Sequence, residues 1–269
     1  MSAVAERTTV FDARKARAVE LGARYDFVAE PMRLVAALAD AQKRAYLRAL
    51  PDQPDQLHRP TAADLAAYVV RVALPEVMDA TMSAGTELLR EAVLLRFHDG
   101  DLAGIVGTWL AGGELSATDA YLARAATSPI LEAVSEAGAS LRGDVADERR
   151  CPACGGLPQL AIFGETGESL VTAQRHLACS RCATEWSYPR MTCVSCRETE
   201  GGNMPILSDE ALPHLRVDAC DTCRSYLISV DTRREPGAIP LVDEIAALPL
   251  DIAAAERGYT KIARNVMGF

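Results

Sequence analysis

The sequence predicts an α+β chain: an N-terminal all-α helical bundle, two tandem zinc-ribbon-like Cys₄ metal modules, and a short helical C-terminal segment. Three observations carry this. All eight cysteines lie between Cys151 and Cys223. They form four Cys-x-x-Cys pairs with none left over. The text before them is rich in Ala, Leu, Arg and Glu, with apolar residues at helical spacing.

The first helix is predicted to start near Thr9, with Asp12 three residues on as a capping partner, and to end near Gly22. A second opens at Pro31, a good first-turn residue, and places Leu34, Leu38, Ala41 and Ala45 on one face. Three prolines between Pro51 and Pro60 read as a loop. Thr61 and Asp64 then have the spacing of a capping box. Further helices fit Thr86 to Phe97, Asp101 to Leu110 and a run after Ser116, with Gly100, Gly112 and Gly113 as stops, making a bundle of five to seven. Beyond Cys223, Tyr226 to Asp231 is strand-like, and two helical segments broken by Pro249 cover Leu241 to Leu248 and Leu250 to Arg257, with Gly258 as a stop. The expected domains are residues 1–147, 148–189, 190–231 and 232–269.

The composition, 49% hydrophobic and 24% charged, is that of a globular protein. A net charge of -9 and a pI near 5.1 argue against nucleic acid as the partner, because phosphate binding depends on clustered Lys and Arg. Acidic residues also outnumber basic ones between Cys151 and Cys223. No segment has the apolar length of a membrane span, and the N-terminus lacks the apolar run of a signal peptide, so a cytoplasmic chain is expected. In a reducing cytosol an even cysteine count favours metal ligation over disulfides.

The pairs are Cys151/Cys154, Cys179/Cys182, Cys193/Cys196 and Cys220/Cys223, separated by 24, 10 and 23 residues. The third pair repeats the first at an offset of 42 and the fourth repeats the second at 41. Arg175 and Arg216 each stand four residues before a cysteine, and Ala178 and Ala219 one before. This is a duplicated two-turn module. It assigns Cys151, Cys154, Cys179 and Cys182 to one ion and Cys193, Cys196, Cys220 and Cys223 to a second, with the ten residues between Cys182 and Cys193 as a hinge. The alternative is interleaved ligation, pairing the first turn with the third and the second with the fourth.

Tetrahedral S₄ accepts iron or zinc. A rubredoxin-type iron turn usually has Gly after its second cysteine; Gly155 satisfies this, whereas Ala183, Arg197 and Arg224 do not, which disfavours an electron carrier. A module of some 40 residues buries too little apolar surface alone, and structural metal contributes roughly 10–16 kcal/mol to folding. Four Cys-x-x-Cys turns outside a βαβ setting fit catalytic thiols poorly. With both Cys₄ sets complete, His176 and His214 read as surface or partner-contacting residues, and Trp186 and Tyr188 as module core. Asp99 and Asp101 around Gly100 resemble a cation loop but read better as a solvated helix terminus. No phosphate-cradling loop, HExxH or Ser/His/Asp set points to an enzyme.

Several stretches resemble the formate dehydrogenase accessory (FdhE-type) family. They are Cys151-Pro-Ala-Cys154-Gly, Arg175-His-Leu-Ala-Cys179-Ser-Arg-Cys182-Ala-Thr-Glu-Trp186, Arg190 before Cys193-Val-Ser-Cys196, and Ala219-Cys220-Asp-Thr-Cys223 followed by Tyr226-Leu227. Phe11-Asp-Ala-Arg, Pro240-Leu-Val-Asp-Glu, Leu250-Asp251, Gly258-Tyr259 and Asn265 extend the likeness. It implies a helical domain joined to two rubredoxin-like modules, and a non-enzymatic, chaperone-like cytoplasmic role in formate dehydrogenase maturation through the catalytic subunit. It also implies two metal ions per chain, with iron favoured over zinc on this ground alone, and is compatible with a homodimer. Arg197 and Ile228 depart from the family pattern, where Gly and Lys are common.

Overall fold

Local capping sets the helix ends in the computed structural model, which describes residues 3–52, 57, 60–98, 100–136, 138, 147–164 and 174–269. The chain forms two units, Met1–Gly143 with Val266–Gly268, and Asp144–Asn265 with Phe269.

The first unit has seven α-helices among the described residues: α1 (Ala3–Arg24), α2 (Ala29–Asp52), α3 (Ala62–Val72), α4 (Leu74–Ala84), α5 (Glu87–His98), α6 (Leu102–Ala111) and α7 (Ala117–Glu136). The predicted face of α2, Leu34, Leu38, Ala41 and Ala45, is buried, and beside it the Tyr46 ring lies 5.2 Å from that of Phe11 of α1, tilted by 51°. The Thr61/Asp64 capping box is present at α3. The Thr86 and Ser116 hydroxyls accept from Leu89 N–H and Asp119 N–H, and Asp101 accepts from Gly104 N–H at 2.8 Å. Asp101 is therefore a helix cap; Asp99 lies outside the described residues. Three details differ from expectation. Helix α1 opens at Ala3, so Thr9 and Asp12 lie inside it and form no cap. Helix α2 continues through Pro51, and α4 follows α3 after a single residue, with Pro75 in its first turn. A first-turn proline forfeits no hydrogen bond, so Pro75 marks a start without separating α3 from α4.

Among the described residues the second unit is a seven-stranded sheet with helices at its C-terminal end. Its strands are β1 (Pro158–Phe163), β2 (Arg175–Cys179), β3 (Glu185–Ser187), β4 (Ile206–Ser208), β5 (Leu215–Ala219), β6 (Ser225–Asp231) and β7 (Thr260–Lys261). Their order is β3-β2-β1-β6-β5-β4, with β7 also on β6. Each copy of the duplicated module supplies an antiparallel triplet. Leu177 pairs with Trp186 as Asp218 pairs with Leu227, 41 residues on in both strands. The triplets join through β1 and β6, which run parallel from Leu160↔Ile228 to Phe163↔Asp231. The two copies thus share one sheet.

The connection between copies is no hinge. It contains β3, and its Tyr188 is buried in a hydrophobic cluster with Ala161, Phe163, Leu177, Val194 and Leu227 on one face of the sheet. Arg175 Nη1 donates to the carbonyls of Pro189 and Thr192 at 3.3 and 2.9 Å, and Trp186 Nε1 donates to the Glu148 carbonyl at 2.9 Å. Buried tyrosine and chain-spanning hydrogen bonds hold these ten residues in place.

The C-terminal segment folds as α8 (Pro240–Asp243), a 3-10 turn (Glu244–Ala247) and α9 (Leu248–Glu256), with Pro249 in the first turn of α9. It contacts β1, β5 and β6. Beneath it Lys261 Nζ donates to Glu244 and, at 3.0 Å, to Asp251; Tyr226 Oη donates to Asp251 and Gln159 to Glu244, each at 2.9 Å. Glu244 is fully buried and the Lys261 side chain is 4% exposed. His214, expected at the surface, is interior: its Nε2 lies 2.9 Å from Asp243 Oδ1. The buried Asp243 carboxylate is what draws the imidazole inward.

Candidate metal centres

Every Cys-x-x-Cys turn reverses the chain and returns a backbone donor to it. The N–H of Cys151, Cys179, Cys193 and Cys220 donates to the carbonyl of Gly156, Thr184, Glu198 and Ser225, five residues on in each case. Closing so tight a loop requires a left-handed residue after the second cysteine. Gly155, Ala183, Arg197 and Arg224 take φ values of 71°, 56°, 67° and 56°, and among the described residues the latter three are the non-glycine residues with positive φ. The absence of glycine at three turns therefore does not change their backbone. It costs about 1–2 kcal/mol per residue, which the rest of the turn must offset.

The turns bring the sulfurs together in two groups, Cys151/Cys154/Cys179/Cys182 and Cys193/Cys196/Cys220/Cys223, each with its Sγ atoms within 4.8 Å of one another. Interleaved grouping is not what the structure has. A tetrahedral shell with metal–sulfur bonds near 2.3 Å has sulfur–sulfur edges of about 3.8 Å. In the second group Cys193–Cys223 and Cys196–Cys220 are both 3.7 Å apart; in the first, Cys151–Cys182 and Cys154–Cys179 are 3.5 and 3.4 Å. Each donor set fits one four-coordinate cation.

Backbone N–H groups face the sulfurs, as charged thiolates require. Arg181 N–H donates to Cys179 at 3.3 Å. The groups differ in exposure. In the first only Cys154 is half-buried, whereas Cys196 of the second is exposed. Beside the second group the Thr222 hydroxyl, with Asn203 and the Glu200 and Thr199 N–H groups, lowers the Glu198 carboxyl to about 2, keeping an anion fixed at the surface.

Gly156 is needed for space. A Cβ there would stand 2.8 Å from Cys179 Sγ. Gly156→Ala is expected to displace that sulfur and weaken metal retention at the first group alone, seen as earlier loss of one of two equivalents in a chelator titration. Equal retention of both would contradict the close approach.

The family profile of the FdhE central domain matches residues 150–190, and that of the FdhE C-terminal domain residues 191–267. Together the two profiles cover residues 150–267, less than half of the chain. An FdhE homolog of Aquifex aeolicus is 34% identical over 119 residues, 44% of this chain and 41% of that protein. One from Pseudomonas aeruginosa is 34% identical over 121 residues, covering 44% and 38%. These matches thus span about two fifths of the length of the curated FdhE relatives. The crystal structure of the FdhE protein from Pseudomonas aeruginosa shares the fold across 97% of this chain and 95% of that one, with a TM-score of 0.71 at 24% identity. Both cysteine groups lie inside the matched FdhE domains. Among the described residues no helix is long and apolar enough to cross a membrane.

Proposed function

We propose that the chain is a cytoplasmic, non-enzymatic accessory factor for formate dehydrogenase maturation. It binds the catalytic subunit through a surface organised by two metal-loaded sites, Cys151, Cys154, Cys179 and Cys182, and Cys193, Cys196, Cys220 and Cys223. The observation that carries this reading is the pair of Cys₄ groups built into one sheet within the FdhE-matching region. A bound cation supplies the charge that holds four thiolates together; the turns supply left-handed backbone and N–H donors. In this reading residues 148–189 and 190–231 are the metal modules, and 1–147 and 232–269 support them. The test is a pull-down from cells making formate dehydrogenase, comparing the wild type with cysteine variants. The catalytic subunit is expected with the wild type and not with variants that lose metal; recovery of no formate dehydrogenase subunit would remove the reading.

A second reading, one-electron transfer to the same client, is favoured by the exposed Cys196 and by four rubredoxin-like turns. It requires iron. Anaerobically purified protein should then redden in air and cycle reversibly, whereas two tightly held zinc ions with no redox response would sink it.

A further inference from the structure

Three arginines that flank the cysteine turns line one cleft beside the second cysteine group. The cleft has a volume of about 80 Å³, and Cys193 and Cys220 form part of its wall. Arg175 comes from β2 and Arg216 from β5, equivalent positions of the repeat, and Arg190 from the connection between copies. The Arg216 and Arg190 guanidinium groups lie 4.6 and 5.6 Å from the Phe163 ring centroid. Arg175 is 5% exposed, its Nε has no hydrogen-bond partner, and its nearest carboxylate, Asp218, is 4.0 Å away. Asp218 is already engaged by Arg216 Nε at 2.9 Å and the Ser229 hydroxyl at 2.6 Å.

Asp218 and two of the proposed ligand cysteines, Cys193 and Cys220, line the cleft with the three guanidinium groups, and among the described residues no carboxylate lies within 4.0 Å of the exposed Arg190. Burial lowers the Arg175 pKa against the pull of Asp218, so a further anion beside that guanidinium would be favourable. Guanidinium forks at such a site match the planar, bidentate geometry of a carboxylate. The rim is apolar: Met191 is 63% and Ile206 56% exposed. A free small anion would gain nothing from that rim, whereas a carboxylate carried between apolar side chains would use both parts.

We propose that this cleft receives an acidic side chain of an extended partner segment, whose apolar neighbours lie on Met191 and Ile206. The proposal deepens the docking reading above and rests on it for the partner's being a protein. Metal-loaded full-length protein can be titrated with a fluorescein-labelled peptide carrying a single Glu between leucines, and with its Gln counterpart, by fluorescence anisotropy. The Glu peptide is expected to bind, and to weaken about tenfold or more when Gln replaces Glu or when the protein carries Arg190→Gln. Arg190 is exposed, so that variant is expected to keep both metals. Absence of binding, equal binding of the Gln peptide, equal binding to Arg190→Gln, or complete displacement of the peptide by acetate would each overturn the proposal. In the pull-down, capture of the catalytic subunit by wild type and Arg190→Gln alike rejects the cleft and keeps the docking reading. Failure of the wild type to capture it rejects the docking reading, leaving the peptide titration to judge the cleft.

Discussion

Cys179→Ala is expected to leave the purified protein with one metal ion per chain in place of two. Cys179 lies 3.4 Å from Cys154 and within 4.8 Å of the other two sulfurs of its group, and no sulfur of the second group belongs to that set. Removing it leaves three ligands and a gap, and at stake is a binding free energy of roughly 10–16 kcal/mol. The second ion should survive, because β4, β5 and β6 form their own antiparallel triplet. Elemental analysis of metal per chain decides the outcome, and the loss of both ions would show that the copies load as one unit. Limited proteolysis adds a second readout: cleavage is expected first in residues 150–190, where β1 to β3 depend on the emptied site.

The largest purely structural effect is expected at Lys261. Its ammonium compensates two carboxylates, Glu244 and Asp251, that are 0% and 5% exposed. Lys261→Met keeps the volume and removes the charge, leaving two like charges buried beside each other; breaking such a pair costs about 3–5 kcal/mol. Chemical denaturation of the metal-loaded protein should show a loss of that size, and a loss below about 1 kcal/mol, the scale of an exposed pair, would mean that water reaches the site. The pH dependence has a definite sign. Burial already raises the Asp251 pKa, and the lysine opposes that rise. A carboxyl whose folded pKa lies above its unfolded value favours the folded state on the acid side, and that advantage is lost as pH rises through the interval between the two. Without the lysine the interval widens, so the variant's deficit relative to wild type should shrink on acidification.

The same residues show what was legible in the sequence. Helices with a polar cap, such as Thr61 before α3 and Asp101 before α6, were readable because one side chain sets the end. The α3–α4 junction was not, because a first-turn proline interrupts neither helical spacing nor hydrogen bonding. The two cysteine groups could be read from the 42- and 41-residue offsets, since a duplicated turn must close on itself. The β1–β6 contact had no such signal: a parallel pairing between copies leaves only apolar residues at Leu160, Ile162, Ile228 and Val230, which any buried strand would carry. The Glu244, Asp251 and Lys261 cluster was missed too, although acidic residues inside the apolar run from Pro240 to Ala255 were its trace. Arg175 and Arg216 were visible as repeated flanking residues. That they converge over the wall of the second site depends on the shared sheet, which no spacing reveals.

That shared sheet has a polarity. Within each triplet the outer strands point the same way, so joining β1 of one copy to β6 of the next places them side by side by a step along the sheet rather than by a two-fold rotation. A step contact has unlike donor and acceptor ends and, unlike a two-fold contact, does not close. The pair therefore ends in one β3 edge and one β4 edge, the two halves of the joint that already holds the copies together. Repeated between molecules, it would build a filament. Both terminal strands are only three residues long, against six and seven for β1 and β6. Stubs of that length offer too few backbone groups to nucleate another copy, so the chain carries an extendable joint and stops it at two.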